Sequence, residues 1–429
     1  MSVAVRFLGG ALEVGKQGVL LSQDGLSVLL DYGSTVSERE PKFPEHVKPS
    51  DVDAVVLSHA HLDHSGALPF LYVGDGPFVF ATAATLDLSR LLLRDFLNIS
   101  GDSLPYEFLE VEKMARKTEL VGYGERVDGK RKDGSPGPGF SLEFRNAGHI
   151  PGSMMTVIEI GGKSVLFTGD FNLGETKLLT PAESSYGSLD AVVMEATYAD
   201  KDHPPRVEME RRLVESCKEV VEGGGTVLVP AFSVGRSHEI IAVLRSMGFS
   251  GEIFLDGMAR KAAEIMLDNP SFLKDAPGFE RAMGSVTWID GWKDRRRAVE
   301  TPSVVVSPAG MLRGGAAAFY IDRVAFSKKN AVFVVSYQAE HTPGRMLIEQ
   351  GKLPWKGGER RVDARVEKFD FSSHSGKSQL TEFIKGLKGS PTVYLIHGEQ
   401  ESLKKYSAEA TEATGVTVKA PANGEVFQV

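Results

Sequence analysis

Four side chains of metal-binding type lie within six residues, in the sequence His59-Ala-His61-Leu-Asp63-His64. They directly follow an apolar segment, 54–58, that we predict to be a β-strand. Zinc accepts imidazole nitrogen and carboxylate oxygen, and a catalytic zinc site keeps one position open for water. Because one open site does not need so many ligands, this block predicts two metal ions. The alternative is a polar loop in which the histidines occur by chance.

Three further residues each follow a strand-like segment and lie beside glycine or proline. They are His149 in Ala-Gly-His-Ile-Pro-Gly, Asp170 in Thr-Gly-Asp-Phe, and His397 in His-Gly-Glu. Each one alone fits an ordinary turn or loop residue. Together they predict a common rim with the histidine block, at which the Asp170 carboxylate could bridge two metal ions.

Such a rim needs strands that position it, and the sequence has two styles of element. Residues 1–70 and 140–194 contain short β-rich segments with turns, including two predicted hairpins, and helices are predicted from residue 66 and over 86–97. Residues 128–139 are predicted to form a polar loop. Between about 200 and 345, strands alternate with helices, which predicts a parallel sheet flanked by helices. We therefore predict one domain inserted into another, with boundaries 1–198, 199–345 and 346–429.

The charge balance argues mildly against a nucleic-acid partner, because the formal net charge is −8. A local cluster of basic groups would weaken that objection, since the field near a cleft governs binding. Three runs qualify, at 293–297, 328–329 and 356–361. Each is also explained as an ordinary solvated face.

Cellular location is predicted from what the composition excludes. The single cysteine, Cys217, excludes an internal disulfide framework and favours a reducing cytoplasm. We predict no signal peptide and no membrane-spanning helix.

The order of these residues resembles the metallo-β-lactamase superfamily, of which the pattern HxHxDH is a specific mark. The resemblance implies an α/β fold, an αββα sandwich, with two zinc ions. One zinc would be held by His59, His61 and His149, and the other by Asp63, His64 and His397, with Asp170 bridging. Asp31 resembles the carboxylate that orients a ligand imidazole in such sites.

The later part of the chain resembles the β-CASP group of nucleic-acid processing enzymes, as an inserted domain. Glu195 in Met-Glu-Ala-Thr-Tyr, His374 in Phe-Ser-Ser-His-Ser, and His397 match its three motifs. The DNA-directed members carry valine at the third motif, so the histidine indicates RNA. The likeness covers essentially the whole chain and is nearest to the cleavage-and-polyadenylation nuclease subunit and its short archaeal and bacterial relatives.

The sequence departs from that pattern at three positions. Ala199 and His341 stand where glycine is commoner, and Ser373 stands where alanine is commoner. These departures leave the implied ligands intact. We also expect no KH module before the nuclease and no long domain after it.

Phosphodiester hydrolysis needs an activated nucleophile, charge neutralisation and a proton for the leaving group. Two metal ions supply the first two. His374 is the candidate proton donor or phosphate-oxygen stabiliser, with Glu195 holding its other nitrogen. We group these two with Asp63 and Asp31 as the catalytic residues.

RNA phosphates need donors, and three residues are candidates. Ser233 and Arg236 lie between a predicted strand and a helix start, where backbone N–H groups favour an anion. Arg236 and Arg345 could each fork onto a phosphate. The equal alternative for both arginines is a structural salt bridge.

The sequence therefore predicts a zinc-dependent ribonuclease that cuts single-stranded RNA internally. Ribonuclease J-type relatives have Ser-Gly-His at the second motif, whereas this chain has Phe-Ser-Ser-His, which favours an endonuclease. The open alternatives are a 5′–3′ exoribonuclease of that type, a small-molecule metallo-hydrolase, and a non-catalytic RNA-binding scaffold. A homodimer and an RNA-processing complex are both open as modes of assembly.

Overall fold

The computed structural model describes residues 2–35, 40–132, 134 and 139–429. The chain divides into two compact units. The first unit is built from Met1–Glu175, Thr180–Asp202 and Ser373–Val429, and the second from Thr176–Leu179 and His203–Ser372. The second unit is therefore an insertion in the sequence of the first.

Two seven-stranded sheets form the framework of the first unit. In spatial order, the strands of one sheet are Val426–Gln428, Ala4–Gly9, Gly18–Gln23, Leu26–Leu30, Ala54–Val56, Phe78–Ala81 and Thr118–Leu120. Those of the other sheet are Val418–Lys419, Thr392–Ile396, Ala191–Glu195, Lys163–Phe167, Met154–Ile160, Phe140–Asn146 and Arg126–Gly129. Each sheet is antiparallel on one side and parallel on the other.

The two sheets share one apolar core. Alternate residues of a strand point to the same face, so each sheet contributes a row of apolar side chains. Phe7 and Val56 of the first sheet and Phe144 and Val193 of the second are among the fully buried members. Burying these side chains excludes water between the sheets and stabilises the pair.

Helices cover the outer faces of both sheets. Ala83–Ser100 and Phe108–Arg116 pack on the first sheet, and Lys377–Gly386 and Gln400–Thr414 pack on the second. Shorter helical turns are Pro49–Asp51, Leu62–Ser65, Leu68–Tyr72 and Gly101–Ser103. The order helix, sheet, sheet, helix confirms the predicted αββα sandwich.

The second unit contains a six-stranded sheet in which every neighbouring pair is parallel. Its strands, in spatial order, are Thr287–Trp288, Glu252–Leu255, Ser303–Ser307, Thr226–Pro230, Ala331–Val334 and Arg365–Lys368. One face packs against Arg206–Glu222, Arg236–Ser246, Met258–Asp268 and Ala276–Gly284, and the other against Trp292–Glu300, Gly315–Val324 and Pro343–Gln350. The parallel sheet flanked by helices is therefore confirmed. The unit also contains the short turn Pro270–Phe272 and a hairpin of Lys352–Trp355 and Gly358–Arg361.

Some local predictions differ from the structure. The strand Arg365–Lys368 pairs with Ala331–Val334, so the second compact unit continues beyond residue 345. The division into domains at 1–198, 199–345 and 346–429 stays a prediction. Both predicted hairpins are confirmed, because Gly18–Gln23 pairs antiparallel with Ala4–Gly9 and with Leu26–Leu30. The predicted loop 128–139 starts inside a strand, and its residues 133 and 135–138 lie outside the described residues. Within the described ranges, no helix is long and apolar enough to cross a membrane.

Candidate active site

Several of the predicted site residues lie at the carboxyl ends of strands. Asp31 and His59 follow neighbouring parallel strands of the first sheet. Asp170, Glu195 and His397 lie at the ends of three consecutive parallel strands of the second sheet. Parallel strands end at one edge of a sheet, so each sheet gathers its own residues at one edge. The close approach of the two sets shows that these edges meet.

The first group of metal-binding type consists of three imidazoles and a carboxylate, from His59, His61, His149 and Asp170. Nε2 of His59 lies 3.1 Å from Nδ1 of His61, and Nε2 of His149 lies 3.2 Å from the same atom. Both Nε2 atoms lie 3.6 Å from Oδ2 of Asp170. Four ligand-type atoms therefore surround one point.

The second group consists of Asp63, His64 and His397. Nε2 of His397 lies 3.2 Å from Oδ2 of Asp63, and Nε2 of His64 lies 3.3 Å from Oδ1 of Asp170. Asp170 thus directs Oδ2 toward the first group and Oδ1 toward the second. This is the arrangement that a bridging carboxylate requires.

Asp31 orients part of this cluster through hydrogen bonds. Nδ1 of His64 donates to Oδ2 of Asp31 over 2.7 Å. The backbone N–H and the hydroxyl of Ser58 also donate to Asp31, each over 2.7 Å, and the same hydroxyl lies 3.0 Å from Nδ1 of His59. With Nδ1 engaged by Asp31, Nε2 of His64 is the ring nitrogen that faces Asp170.

Two further imidazoles, those of His149 and His397, are held in the same way. Nδ1 of His149 donates to the carbonyl of Ser373 over 2.9 Å. Nδ1 of His397 lies 3.0 Å from the Thr197 hydroxyl, which donates to Oε2 of Glu195 over 2.7 Å. Thr197 therefore links the imidazole of His397, a candidate metal ligand, to a buried carboxylate.

Sequence reasoning missed Ser58 and Thr197 as parts of the site. Their signal was position alone, since Ser58 precedes His59 and Thr197 lies two residues after Glu195. A hydroxyl residue beside a predicted ligand indicates such a role, because ligand imidazoles usually donate their outer N–H to a fixed acceptor.

His374 and Glu195 form a pair beside the cluster. Nδ1 of His374 donates to Oε1 of Glu195 over 2.9 Å, and Nε2 lies 4.0 Å from Oδ2 of Asp170. Glu195 also accepts hydrogen bonds from the backbone N–H groups of Phe171 and Thr197. The pair matches the predicted arrangement, in which Glu195 fixes the ring and Nε2 faces the cluster.

Burial and neighbouring charge divide the imidazoles into two sets. Burial lowers the pKa of His59 and His149 well below the ordinary value and lowers the pKa of His61 to about 4. Burial also opposes the charged form of His64 and His397, but the charge of Asp170 outweighs it and raises their pKa. The first set is therefore neutral at neutral pH, which is the form that binds a metal ion.

The acidic members of the cluster stay ionised. Burial favours the neutral form of Asp170 and Asp63, but the neighbouring imidazoles outweigh it. The hydrogen bond from His397 is the largest influence that lowers the pKa of Asp63, and the charge of His397 is the largest for Asp170.

Two buried atoms test whether these residues fit a metal ion. Among the described residues, Nε2 of His64 and Oδ1 of Asp170 are buried and form no hydrogen bond, although they lie 3.3 Å apart. A buried polar atom without a partner costs about 1–3 kcal/mol. A cation would satisfy both atoms, and the donor set of imidazole nitrogen and carboxylate oxygen suits zinc. The residues therefore fit the group.

The backbone around the cluster is locally constrained. Asp31 and His397 adopt φ angles of 54° and 55°, in the left-handed region that non-glycine residues seldom use. Such conformations cluster at functional sites, where surrounding contacts impose them. Gly33 permits a close approach, because a Cβ atom there would lie 1.7 Å from the carbonyl oxygen of Asp63.

The three predicted RNA-phosphate residues lie in the second unit. Ser233 precedes the helix Arg236–Ser246, so the predicted strand-to-helix turn is present. The positive charge of Arg236 acts on the carboxyl group of Asp370. Burial opposes ionisation of this group, but a hydrogen bond from His203 and the charges of His203 and Arg236 lower its pKa to about 2. Nε of Arg345 pairs with Glu349 over 2.5 Å. The salt-bridge alternative is thus present for Arg345, and the phosphate contacts stay predictions.

The departures from the family pattern have local explanations in two cases. His341 adopts a φ of 58°, which explains why glycine is commoner there. Ser373 contributes its backbone carbonyl to His149, so alanine would serve equally. Ala199 is buried, and nothing in the structure explains why it replaces glycine.

An αββα sandwich with this cluster at its strand ends defines a metallo-hydrolase of the metallo-β-lactamase type. Three family models match the chain: a metallo-beta-lactamase superfamily domain over 20–197, a Beta-Casp domain over 238–347, and a Zn-dependent metallo-hydrolase RNA specificity domain over 359–421. A crystal structure of a protein of unknown function from Enterococcus faecalis V583 has the same fold, with a TM-score of 0.62 and 14% identity over 100% of both chains.

Archaeal relatives match the chain over nearly its full length. It is 41% identical to RNase aCSPSF2 from Saccharolobus solfataricus, over 99% of this chain and 85% of the relative. It is 35% identical to the probable RNase MJ4 from Methanocaldococcus jannaschii, over 92% of each chain. It is 33% identical to transcription termination factor FttA of the same organism, over 93% of this chain and 67% of that one.

The chain therefore belongs to the β-CASP family of metallo-β-lactamase proteins, with the archaeal relatives of the cleavage-and-polyadenylation nuclease. The predicted resemblance is confirmed. Family membership implies a divalent metal at the cluster.

Proposed function

We propose that this protein is a ribonuclease that holds two zinc ions and cuts single-stranded RNA internally. A metal-dependent ribonuclease of RNA processing is the activity that its family and the names of its relatives support. The observation that carries the proposal is the pair of ligand groups sharing Asp170, with His374 beside them.

Seven residues would hold the two zinc ions: His59, His61 and His149 for one, Asp63, His64 and His397 for the other, and Asp170 for both. Bound divalent ions make water a stronger nucleophile at neutral pH and neutralise charge on the phosphate. Asp31 would keep the ring of His64 in position, as its 2.7 Å hydrogen bond supports.

His374 would deliver the proton that the leaving oxygen needs. Its Nδ1 is engaged by Glu195, so Nε2 is the nitrogen left to face a substrate. A carboxylate partner stabilises the positively charged ring, in which Nε2 carries a transferable proton. Direct attack on phosphorus would leave a 5′-phosphate and a 3′-hydroxyl.

Ser233, Arg236 and Arg345 remain the proposed contacts to RNA phosphates, with single-stranded RNA as the partner. Arg345 would have to exchange its ion pair with Glu349 for a phosphate, a small cost for an exposed pair. We keep the cytoplasm as the proposed location, on the support of the single cysteine. A homodimer and an RNA-processing complex both stay open.

A circular single-stranded RNA tests the proposal, because it has no end for an exonuclease to enter. We expect the zinc-loaded protein to open the circle and to cut a linear RNA of the same sequence. The Asp170→Asn variant, prepared identically, controls for contaminating ribonuclease. Degradation of the linear RNA alone would refute internal cutting, and survival of both RNAs would refute the ribonuclease assignment.

A further inference from the structure

The hairpin of Lys352–Trp355 and Gly358–Arg361 has no part in the chemistry proposed above. It belongs to the second unit, and all four residues of its second strand are exposed. Isolated two-stranded hairpins are marginally stable in water. This one is anchored by Leu353, which is 5% exposed and belongs to the apolar core beneath it.

Aromatic rings and a guanidinium group stack on the hairpin. The rings of Phe326 and Trp355 meet edge to face, with centroids 4.7 Å apart. The guanidinium carbon of Arg360 lies 3.8 Å from the Phe326 centroid and 5.4 Å from the Trp355 centroid. Nζ of Lys356 lies 5.8 Å from the Trp355 centroid. The stack therefore holds flat apolar faces and positive charge together.

The stack brings together two of the basic runs seen in the sequence. Phe326 precedes Lys328 and Lys329, and the hairpin supplies the run 356–361. Segments 326–329 and 352–363 contain two acidic residues, Glu359 and Asp363, and six basic ones, which are Lys328, Lys329, Lys352, Lys356, Arg360 and Arg361. On a chain with net charge −8, this is a local reversal of sign.

Most of these basic residues form no ion pair with a described acidic residue. Lys352 pairs with Glu359 over 3.0 Å. Within the described ranges, no ion pair involves Lys328, Lys329, Lys356, Arg360 or Arg361. We call the surface formed by Phe326, Trp355, Arg360 and these unpaired basic residues the hairpin patch.

We propose that the hairpin patch is a second binding surface for single-stranded RNA, made of residues separate from the metal cluster. Bases stack on aromatic rings and on guanidinium planes, and phosphates pair with lysine and arginine. The proposal rests on the proposed function, which makes RNA the substrate. An acidic protein could pair its carboxylates with the lysines, but it has no nucleobases to stack on the aromatic rings and the guanidinium group. The chemistry of the hairpin patch therefore favours RNA.

Tryptophan fluorescence tests this binding without relying on cleavage. The chain has three tryptophans, so Trp288→Phe with Trp292→Phe leaves Trp355 as the only one. The protein also carries His374→Ala to prevent cutting. We expect a 12-nucleotide oligouridine to quench the emission saturably, because a base stacks near Trp355.

A pair of matched charge variants localises the contact. Lys356→Gln with Arg360→Gln should weaken binding several-fold and flatten the plot of log affinity against log salt by about 1.4, since each single-strand phosphate contact contributes about 0.7. Lys293→Gln with Arg296→Gln removes the same charge from the exposed basic helix Trp292–Glu300 and should leave both values unchanged.

Several results would overturn the inference: no quenching by RNA, equal weakening by both double variants, or quenching by polyglutamate in place of RNA, which would indicate a protein partner. Cleavage of circular RNA without quenching would leave the proposed function standing and remove this surface. Quenching by RNA, with no cleavage of RNA by the zinc-loaded parent, would leave the binding surface standing and remove the proposed function.

Discussion

Thr197 offers a sharp test of how the cluster is held, because its hydroxyl contacts both Glu195 and His397. It donates to Oε2 of Glu195 over 2.7 Å and lies 3.0 Å from Nδ1 of His397. Thr197→Val keeps the shape and the β-branch but removes the hydroxyl. The outer N–H of His397 then loses its acceptor, and the ring is no longer fixed toward Asp63.

The size of the effect follows from these contacts. Loss of the outer partner of a ligand imidazole weakens metal affinity by roughly 10–100-fold, or about 1.4–2.7 kcal/mol. Glu195 keeps its hydrogen bonds from the Thr197 backbone N–H and from His374, so losing the hydroxyl's hydrogen bond to the carboxylate costs about 1.5–3 kcal/mol of folding stability. We therefore expect weaker metal binding in a protein that still folds.

Competition with a zinc chelator measures this effect directly. We expect Thr197→Val to release one of two zinc ions at roughly 10–100-fold lower chelator activity, while the other ion is retained. Thr197→Ser keeps the hydroxyl and should behave like the parent. If Thr197→Val holds both ions as tightly as the parent, Thr197 does not position His397 and the reasoning is refuted.

Three further substitutions separate metal binding, proton transfer and folding. Asp170→Asn should weaken the binding of both zinc ions. If metal analysis shows that the zinc affinity of one site is unchanged, the bridging role is disproved. His374→Ala should lower the RNA cleavage rate by roughly 10²–10⁴-fold with zinc content unchanged, whereas loss of zinc would make it a ligand. Asp256→Ala removes a buried acceptor of hydrogen bonds from Arg295 and Tyr320. It should lower the free energy of unfolding by about 2–3 kcal/mol, which is less than the loss on breaking a fully buried ion pair. A change below about 0.5 kcal/mol in a urea titration would contradict this expectation.

The grouping of the candidate metal-binding residues was largely predictable, because its strongest signal is local. His59 to His64 are consecutive, and the other ligands follow apolar strand segments beside glycine or proline. Which residues hold those ligands was less visible. Thr197 and His397 are 200 residues apart, and His149 and Ser373 are 224 apart. A hydroxyl or a backbone carbonyl has no distinctive sequence signal, so only the fold identifies such partners.

The second unit shows where sequence patterns were insufficient. Its central strands are apolar on both faces, as parallel sheets require, and were located correctly. The edge strand Arg365–Lys368 is polar and largely unburied, so it had no hydrophobic pattern. The hairpin patch depends on contacts of Phe326 with Trp355 and Arg360. In the sequence these segments are visible only as two separate basic runs, and nothing there indicates that they meet.

The most direct test of the account is zinc titration of metal-free protein with RNA hydrolysis as the readout. The protein is stripped with chelator, its retained fold is checked by circular dichroism, and zinc is added back in steps. We predict negligible hydrolysis without metal and a rate that rises until about two zinc ions are bound per chain, the number that the two ligand groups accommodate. Full activity in the metal-free protein, or a rate that saturates at one zinc ion, would contradict it.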